Sequence, residues 1–216
     1  SLTFMAGYGG IVSLAQMTVA GIAGYAMAVL GTSSSAEISL AWPWWVAVPF
    51  ALLIAVVCAT FIGWLSEFIS VRTGFPFSWY EYYPANFSHE LWLGGIPLFA
   101  SLSFAAMSYF GHSAAYTLLS PLHQGPGGIE RTENMKLLLS IKVALWAALL
   151  TTWTDFVVDP VAHLGEYWFL GKIYFWITTS AAWHFDVPIW NYGGWLLTIF
   201  AIVHANQVID RSLINR

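Results

Sequence analysis

Residues 45–64 read WVAVPFALLIAVVCATFIGW, a run without a single charge and with a tryptophan at each end. A helix rises about 1.5 Å per residue, so a run of this length matches the roughly 30 Å of hydrocarbon in a bilayer. The apolar residues are continuous rather than alternating, which is the pattern of a spanning helix and not of a barrel strand. Working outward, five more segments read the same way. They are Phe4 to Gly31, Trp92 to Leu119, Leu137 to Val158 stopping before Pro160, Tyr167 to Trp183 with Lys172 interrupting it, and Tyr192 to Ile209 closing on Asp210 and Arg211. The expected fold is therefore all-α, a polytopic bundle of about six transmembrane helices in a prokaryotic cell membrane.

Composition supports a bilayer as solvent. Only 8% of the 216 residues are charged, against about 25% in soluble domains, and mean hydropathy is +0.67. Thirteen Trp, ten Tyr and fifteen Phe suit aromatic belts at the membrane surface, and equally the walls of a pocket for a flat, apolar ligand. The net charge of −4 gives no footing for nucleic acid. Cys58, the only cysteine, reads as a packed thiol. No basic region precedes the first apolar stretch, so a cleavable signal peptide is not expected, and the sequence reads as opening mid-protein.

Between the apolar runs lie a polar, aromatic stretch from Glu67 to Glu90 and a hydrophilic loop from His123 to Lys136 with Gly125-Pro126-Gly127-Gly128 as its turn. Basic residues do not decide orientation: Arg72, Arg211 and Arg216 on one side balance Arg131, Lys136 and Lys142 on the other. No internal repeat is visible in the residues. Gly7, Gly10, Gly21 and Gly24 would let the first helix approach a neighbour closely, with Ser13 and Gln16 hydrogen-bonding across it.

Ionisable groups inside a bilayer are costly and mark functional sites. The clearest are in Trp153-Thr154-Asp155-Phe156-Val157-Val158-Asp159-Pro160, where Asp155 and Asp159 are four apart and share a helix face. Two carboxyls so close resist being ionised together, which keeps an acid available near neutral pH. A second cluster is Arg72-Thr73-Gly74-Phe75-Pro76-Phe77-Ser78-Trp79-Tyr80-Glu81-Tyr82-Tyr83, in which Arg72 is placed to pair with Glu67 or an aspartate. The six histidines show no compact metal-ligand spacing. Neither a metal nor a cofactor is expected.

From Gly63 onward the chain resembles a family of carotenoid-biosynthesis membrane proteins that includes carotenoid 1,2-hydratases. The resemblance rests on Glu67-Phe68-Ile69-Ser70-Val71-Arg72-Thr73-Gly74-Phe75-Pro76-Phe77-Ser78-Trp79-Tyr80-Glu81-Tyr82, on Gly95-Ile96-Pro97-Leu98, on Trp153 to Pro160, and on Val187-Pro188-Ile189-Trp190-Asn191-Tyr192-Gly193-Gly194-Trp195. The family more often has Gly where Ser78 stands, and Trp directly before the first aspartate where Thr154 stands. The opening Gly7-Tyr8-Gly9-Gly10-Ile11-Val12-Ser13-Leu14-Ala15-Gln16 and Gly21-Ile22-Ala23-Gly24-Tyr25 resemble instead the start of branched-chain amino-acid ABC permeases. Together these resemblances imply two parts: residues 1–62 with two permease-like helices, and residues 63–216 with about four helices of the carotenoid type.

The carotenoid-type resemblance implies water addition to a terminal isopropylidene double bond. Protonating that alkene gives a tertiary cation, which needs a positioned acid. Asp155 and Asp159 are the catalytic candidates. Arg72, Phe75, Phe77, Trp79, Tyr80, Tyr82, Trp153, Asn191 and Trp195 are the substrate-binding candidates, with rings stabilising the cation and the Asn191 amide orienting water. The implied partners are membrane lipid, a carotenoid or other long polyprenoid, and further membrane proteins. Two other functions fit the same sequence: a non-catalytic pigment- or lipid-binding subunit of a membrane complex, and a permease component.

Overall fold

The computed structural model describes residues 44–87, 89–125, 128–132, 134–164, 171–177 and 183–214. The expected first helix and its glycines lie outside these residues. Helix α1 is Trp44–Thr73, and it runs unbroken through residues 62 and 63. After it come strand β1 (Tyr80–Tyr82), a 3-10 turn (Pro84–Phe87), and the hairpin of β2 (Trp92–Leu93) and β3 (Ile96–Pro97). Helix α2 is Leu98–Leu119, followed by the hairpin of β4 (Leu122–Gly125) and β5 (Gly128–Arg131) and the short α3 (Met135–Leu138). Helix α4 (Ile141–Ala162), β6 (Tyr174–Trp176), the hairpin of β7 (Trp183–His184) and β8 (Val187–Pro188), and α5 (Ile189–Ile214) complete the order.

The fold is mostly helical, and three of the described helices are long and apolar enough to cross a membrane: Leu53–Thr73, Ile141–Ala162 and Ile189–Arg211. Six spans are not supported among the described residues. The Trp92 to Leu119 segment is a hairpin and then α2, an uncharged 22-residue helix that carries Ser101, Ser103, Ser108 and His112 and is not among the three. The Tyr167 to Trp183 segment is not a helix where it is described; Tyr174, Phe175 and Trp176 form a strand paired with β1. Aromatic side chains favour that extended conformation, and Gly171 before them adopts a φ of 67° that ends any helix. The hydrophilic loop is itself the β4–β5 hairpin and α3.

Two helix boundaries also differ from expectation. Helix α1 continues to Thr73 and takes Glu67 into its buried face. Helix α4 runs past Pro160 to Ala162. Proline removes one backbone donor there, but only in the last turn, and side-chain partners hold the preceding Asp159 from both sides.

The described residues form a repeat that the sequence itself does not reveal. Each half has a long helix, a three-residue strand, a two-residue hairpin and a second long helix: α1–β1–β2/β3–α2 and α4–β6–β7/β8–α5. The two hairpins match position by position, pairing Trp92 with Pro97 and Trp183 with Pro188. Their turns both carry two residues at positive φ, Gly94 (59°) and Gly95 (86°) in one, Phe185 (45°) and Asp186 (66°) in the other. That backbone matches the twist of the flanking strands, which is why it recurs in tight hairpins. Strands β1 and β6 pair antiparallel about Glu81 and Phe175, as a two-fold relation between the halves requires. Phe104 and Trp195, each seven residues past its hairpin proline, stack with centroids 4.6 Å apart.

The four long helices pack in a ring, α1 and α4 each touching both α2 and α5. The tightest seam is α2 on α4, where Ala144, Ala147 and Ala148 are fully buried beside Ala115. A side chain at Gly111 would run into Thr151 Oγ1 and the Ala147 carbonyl, so only glycine permits this approach. The outward faces stay apolar: Leu53, Val57, Phe61, Leu145, Leu149 and Leu197 are all exposed, as a lipid-facing surface would be.

Candidate functional site

The paired strands β1 and β6 supply part of the wall of a half-open cavity of about 60 Å³. It is lined by Glu67 from α1, Phe77, Tyr80 and Tyr82 from the following loop and β1, Phe104 from α2, Asp155 from α4, Tyr174 and Trp176 from β6, and Asn191 and Trp195 from α5. Both halves of the repeat therefore contribute. The volume takes a few water molecules or one small branched group.

Local structure explains why the loop after α1 reaches the cavity. The buried Ser70 hydroxyl donates to the Ser78 carbonyl (2.9 Å) and accepts from the Phe77 amide (3.1 Å). This folds the chain back and drives Phe77 inward, against Phe104 and Trp195. A side chain at Gly194 would collide with Phe77, so the family-like Gly193-Gly194-Trp195 run makes room for it. Ser78, where the family favours glycine, sits at φ 108°, a conformation that glycine reaches without strain.

At the floor, Asp155 and Asp159 are 7% and 4% exposed. The Asn191 amide nitrogen donates to both, 2.9 Å to Asp155 Oδ2 and 2.8 Å to Asp159 Oδ2. Its two hydrogens are thus committed to the acids rather than to water. Tyr174 donates its phenol to Asp159 Oδ1. Burial, and then the carboxyls of Asp159 and Asp155, push the Tyr174 phenol well above its usual 10.0, so it stays a donor.

His163 stands 3.7 Å from Asp159, yet no ion pair forms. Trp176 Nε1, which can only donate, points at His163 Nε2 from 2.9 Å. That nitrogen therefore carries a lone pair, and the ring is neutral. Burial also lowers the His163 pKa, with Asp186 opposing and Lys172 reinforcing the shift.

On the opposite wall Tyr82 donates to Glu67 Oε1 across 2.5 Å. Tyr80 is hydrogen-bonded to Tyr82 and meets Tyr174 edge-on at 5.5 Å. Burial, then the neighbouring Glu67, push the Tyr80 and Tyr82 phenols well above 10.0. The phenols form a neutral row between the two acid groups.

Of the residues expected from sequence, Asp155, Asp159, Phe77, Tyr80, Tyr82, Asn191 and Trp195 converge here. Four do not. Arg72 donates to the Phe68 and Gly94 carbonyls and lies over the Phe68 ring, so it pins the first hairpin and pairs with no acid among the described residues. Phe75, Trp79 and Trp153 are 63%, 43% and 67% exposed. Trp153 stacks on Phe156 on the outer face of α4, because two residues along a helix from Asp155 is nearly the opposite side.

Sequence reasoning missed Glu67, Phe104, His163, Tyr174 and Trp176 as site residues. Glu67 carried a usable signal, an acid in an apolar helix. Tyr174 and Trp176 were hidden in a segment read as a spanning helix.

No curated protein and no solved structure matches this chain. A family model described as carotenoid biosynthesis protein matches residues 24–215. The match starts inside the stretch that resembles a permease, and no finding supports that resemblance. Matched over nearly all of its length, this membrane protein belongs to the carotenoid biosynthesis protein family.

Proposed function

We propose that this protein is a hydratase that adds water to the terminal isopropylidene double bond of an acyclic carotenoid. One observation carries the reading. A buried carboxyl, Asp155, clamped by one amide to a second, Asp159, lines a cavity walled by aromatic rings.

Among the described residues, Asp159 accepts from both Asn191 and Tyr174, whereas Asp155 accepts from Asn191 alone. Two carboxyls around one donor group hold a proton between them. Asp159 has the additional donor that stabilises a carboxylate, so Asp155, which lines the cavity, carries that proton. Asp155 delivers it to the less substituted alkene carbon, and the charge develops at the tertiary carbon. Phe77, Phe104 and Trp195 present ring faces and edges to that carbon. Water then adds, giving a tertiary alcohol. The cavity holds only the branched end of a polyene, and the rest of the chain lies in lipid.

The test is expression in a host that accumulates an acyclic carotene, with the extracted pigments resolved by mass. Gain of one water is expected from the native protein and loss of it by about 10²-fold or more from Asp155→Asn. Undiminished product from the Asp155→Asn, Asp159→Asn double variant would sink the reading.

A further inference from the structure

We infer that Glu67 is the base that takes the proton from the attacking water, so that the first half of the repeat supplies the base and the second half the acid. This rests on the hydratase reading. Hydration needs both groups: an acid to make the cation, and a base to accept the proton that water sheds as it adds. Asp155 supplies the first, and Asp159 does not line the cavity in which the water adds.

Glu67 lies on the opposite helix, across the cavity from Asp155, and both line it. It is 6% exposed. Its Oε1 accepts from Tyr82, while Oε2 has no partner among the described protein atoms. A carboxylate with one oxygen fixed and the other free at a cavity wall is oriented for a water molecule. Ser101 Oγ, on the neighbouring α2, is buried beside Glu67 and is, with Tyr82, a hydroxyl able to donate to its carboxyl. It offers the same water a second contact. The one cation nearby in sequence, Arg72, is turned away to Gly94.

The step balances without a co-reactant. The Asp155 O–H bond breaks as a C–H bond forms. A water lone pair closes the C–O bond on the cation, and the water O–H bond breaks to leave its proton on Glu67. Cavity water returns the proton from Glu67 to the aspartate pair between turnovers, past Tyr82 and Tyr80 on the Glu67 side and Tyr174 on the Asp159 side.

The two half-reactions separate in heavy water. In Glu67→Gln the acid still protonates the alkene, but the cation can only return a proton to the carboxylate that supplied it. In membranes containing an acyclic carotene with isopropylidene ends, Glu67→Gln is expected to lose hydration by about 10²-fold. It is expected to keep washing deuterium into the recovered carotene. Asp155→Asn should lose both. Hydration by Glu67→Gln at the native rate would overturn this role while leaving the hydratase reading intact. Equal loss of hydration and exchange would overturn it too, placing Glu67 on the acid side. If Glu67→Gln does not accumulate in membranes, Glu67→Asp carries the same test, with hydration slowed about 10-fold and exchange unchanged. A native protein that neither hydrates nor exchanges would refute both proposals together.

Discussion

The Asn191 amide nitrogen stands 2.8 Å from Asp159 Oδ2 and bridges it to Asp155. That single NH2 group joins α5 to α4 at the floor of the cavity, and it is the only side-chain donor the two acids share among the described residues. Asn191→Leu keeps the volume and removes the donor. Hydration should fall about 10²-fold, as when a preorganised donor is deleted from an active site. Thermal stability in detergent should drop by the roughly 1–3 kcal/mol of an unsatisfied buried polar group. Native activity in Asn191→Leu would show that the clamp is dispensable.

Two tryptophans from the same family-like motifs should behave oppositely. Trp195 lines the cavity against Phe104, whereas Trp153 is 67% exposed on the outer face of α4. Trp195→Leu removes a ring beside the developing cation and should slow hydration about 10-fold. Trp153→Leu should leave it within about 2-fold, as surface changes do. Pigment yields from matched expression levels compare the two, and the reverse order would place the cation elsewhere.

Ser78 adopts φ 108° at the point where Ser70 ties the loop to α1. A Cβ is disfavoured in that region of backbone space. Ser78→Gly should therefore raise stability by about 1 kcal/mol, seen as a higher melting temperature with activity unchanged. A lower melting temperature would mean that the contacts of the serine side chain outweigh the backbone strain.

His163 accepts from Trp176, and burial holds its pKa below the usual 6.5. The sign follows directly. The folded state resists a proton that an exposed histidine would take, so stability is intact above pH 6.5 and declines as pH falls below it. Nitrogen-15 chemical shifts of labelled histidine should give a midpoint for His163 under 6.5, and His163→Gln should flatten the acid side of the stability profile. A midpoint above 6.5 would instead indicate an ion pair with Asp159.

The sequence by itself determined the solvent and the acids. A run such as residues 45–64 has no charge to leave in water, so a bilayer-length helix follows from composition and length alone. Asp155 and Asp159 declared themselves because four residues is one helical turn and because carboxyls are rare in such helices. Tertiary structure decided the rest. Tyr174 and Trp176 belong to the site only because β6 pairs with β1, a contact across about ninety residues that no local pattern encodes. The repeat escaped notice because it is conserved as geometry: the matched hairpins share little beyond a Trp and a Pro, and Gly94-Gly95 and Phe185-Asp186 reach similar turns with unrelated side chains. Arg72 and Trp153 looked like site residues by proximity in sequence, and helix rotation turned both away. Glu67 faces Asp155 for the same reason in reverse, since packing of the ring of helices, not sequence separation, sets which acids share a cavity.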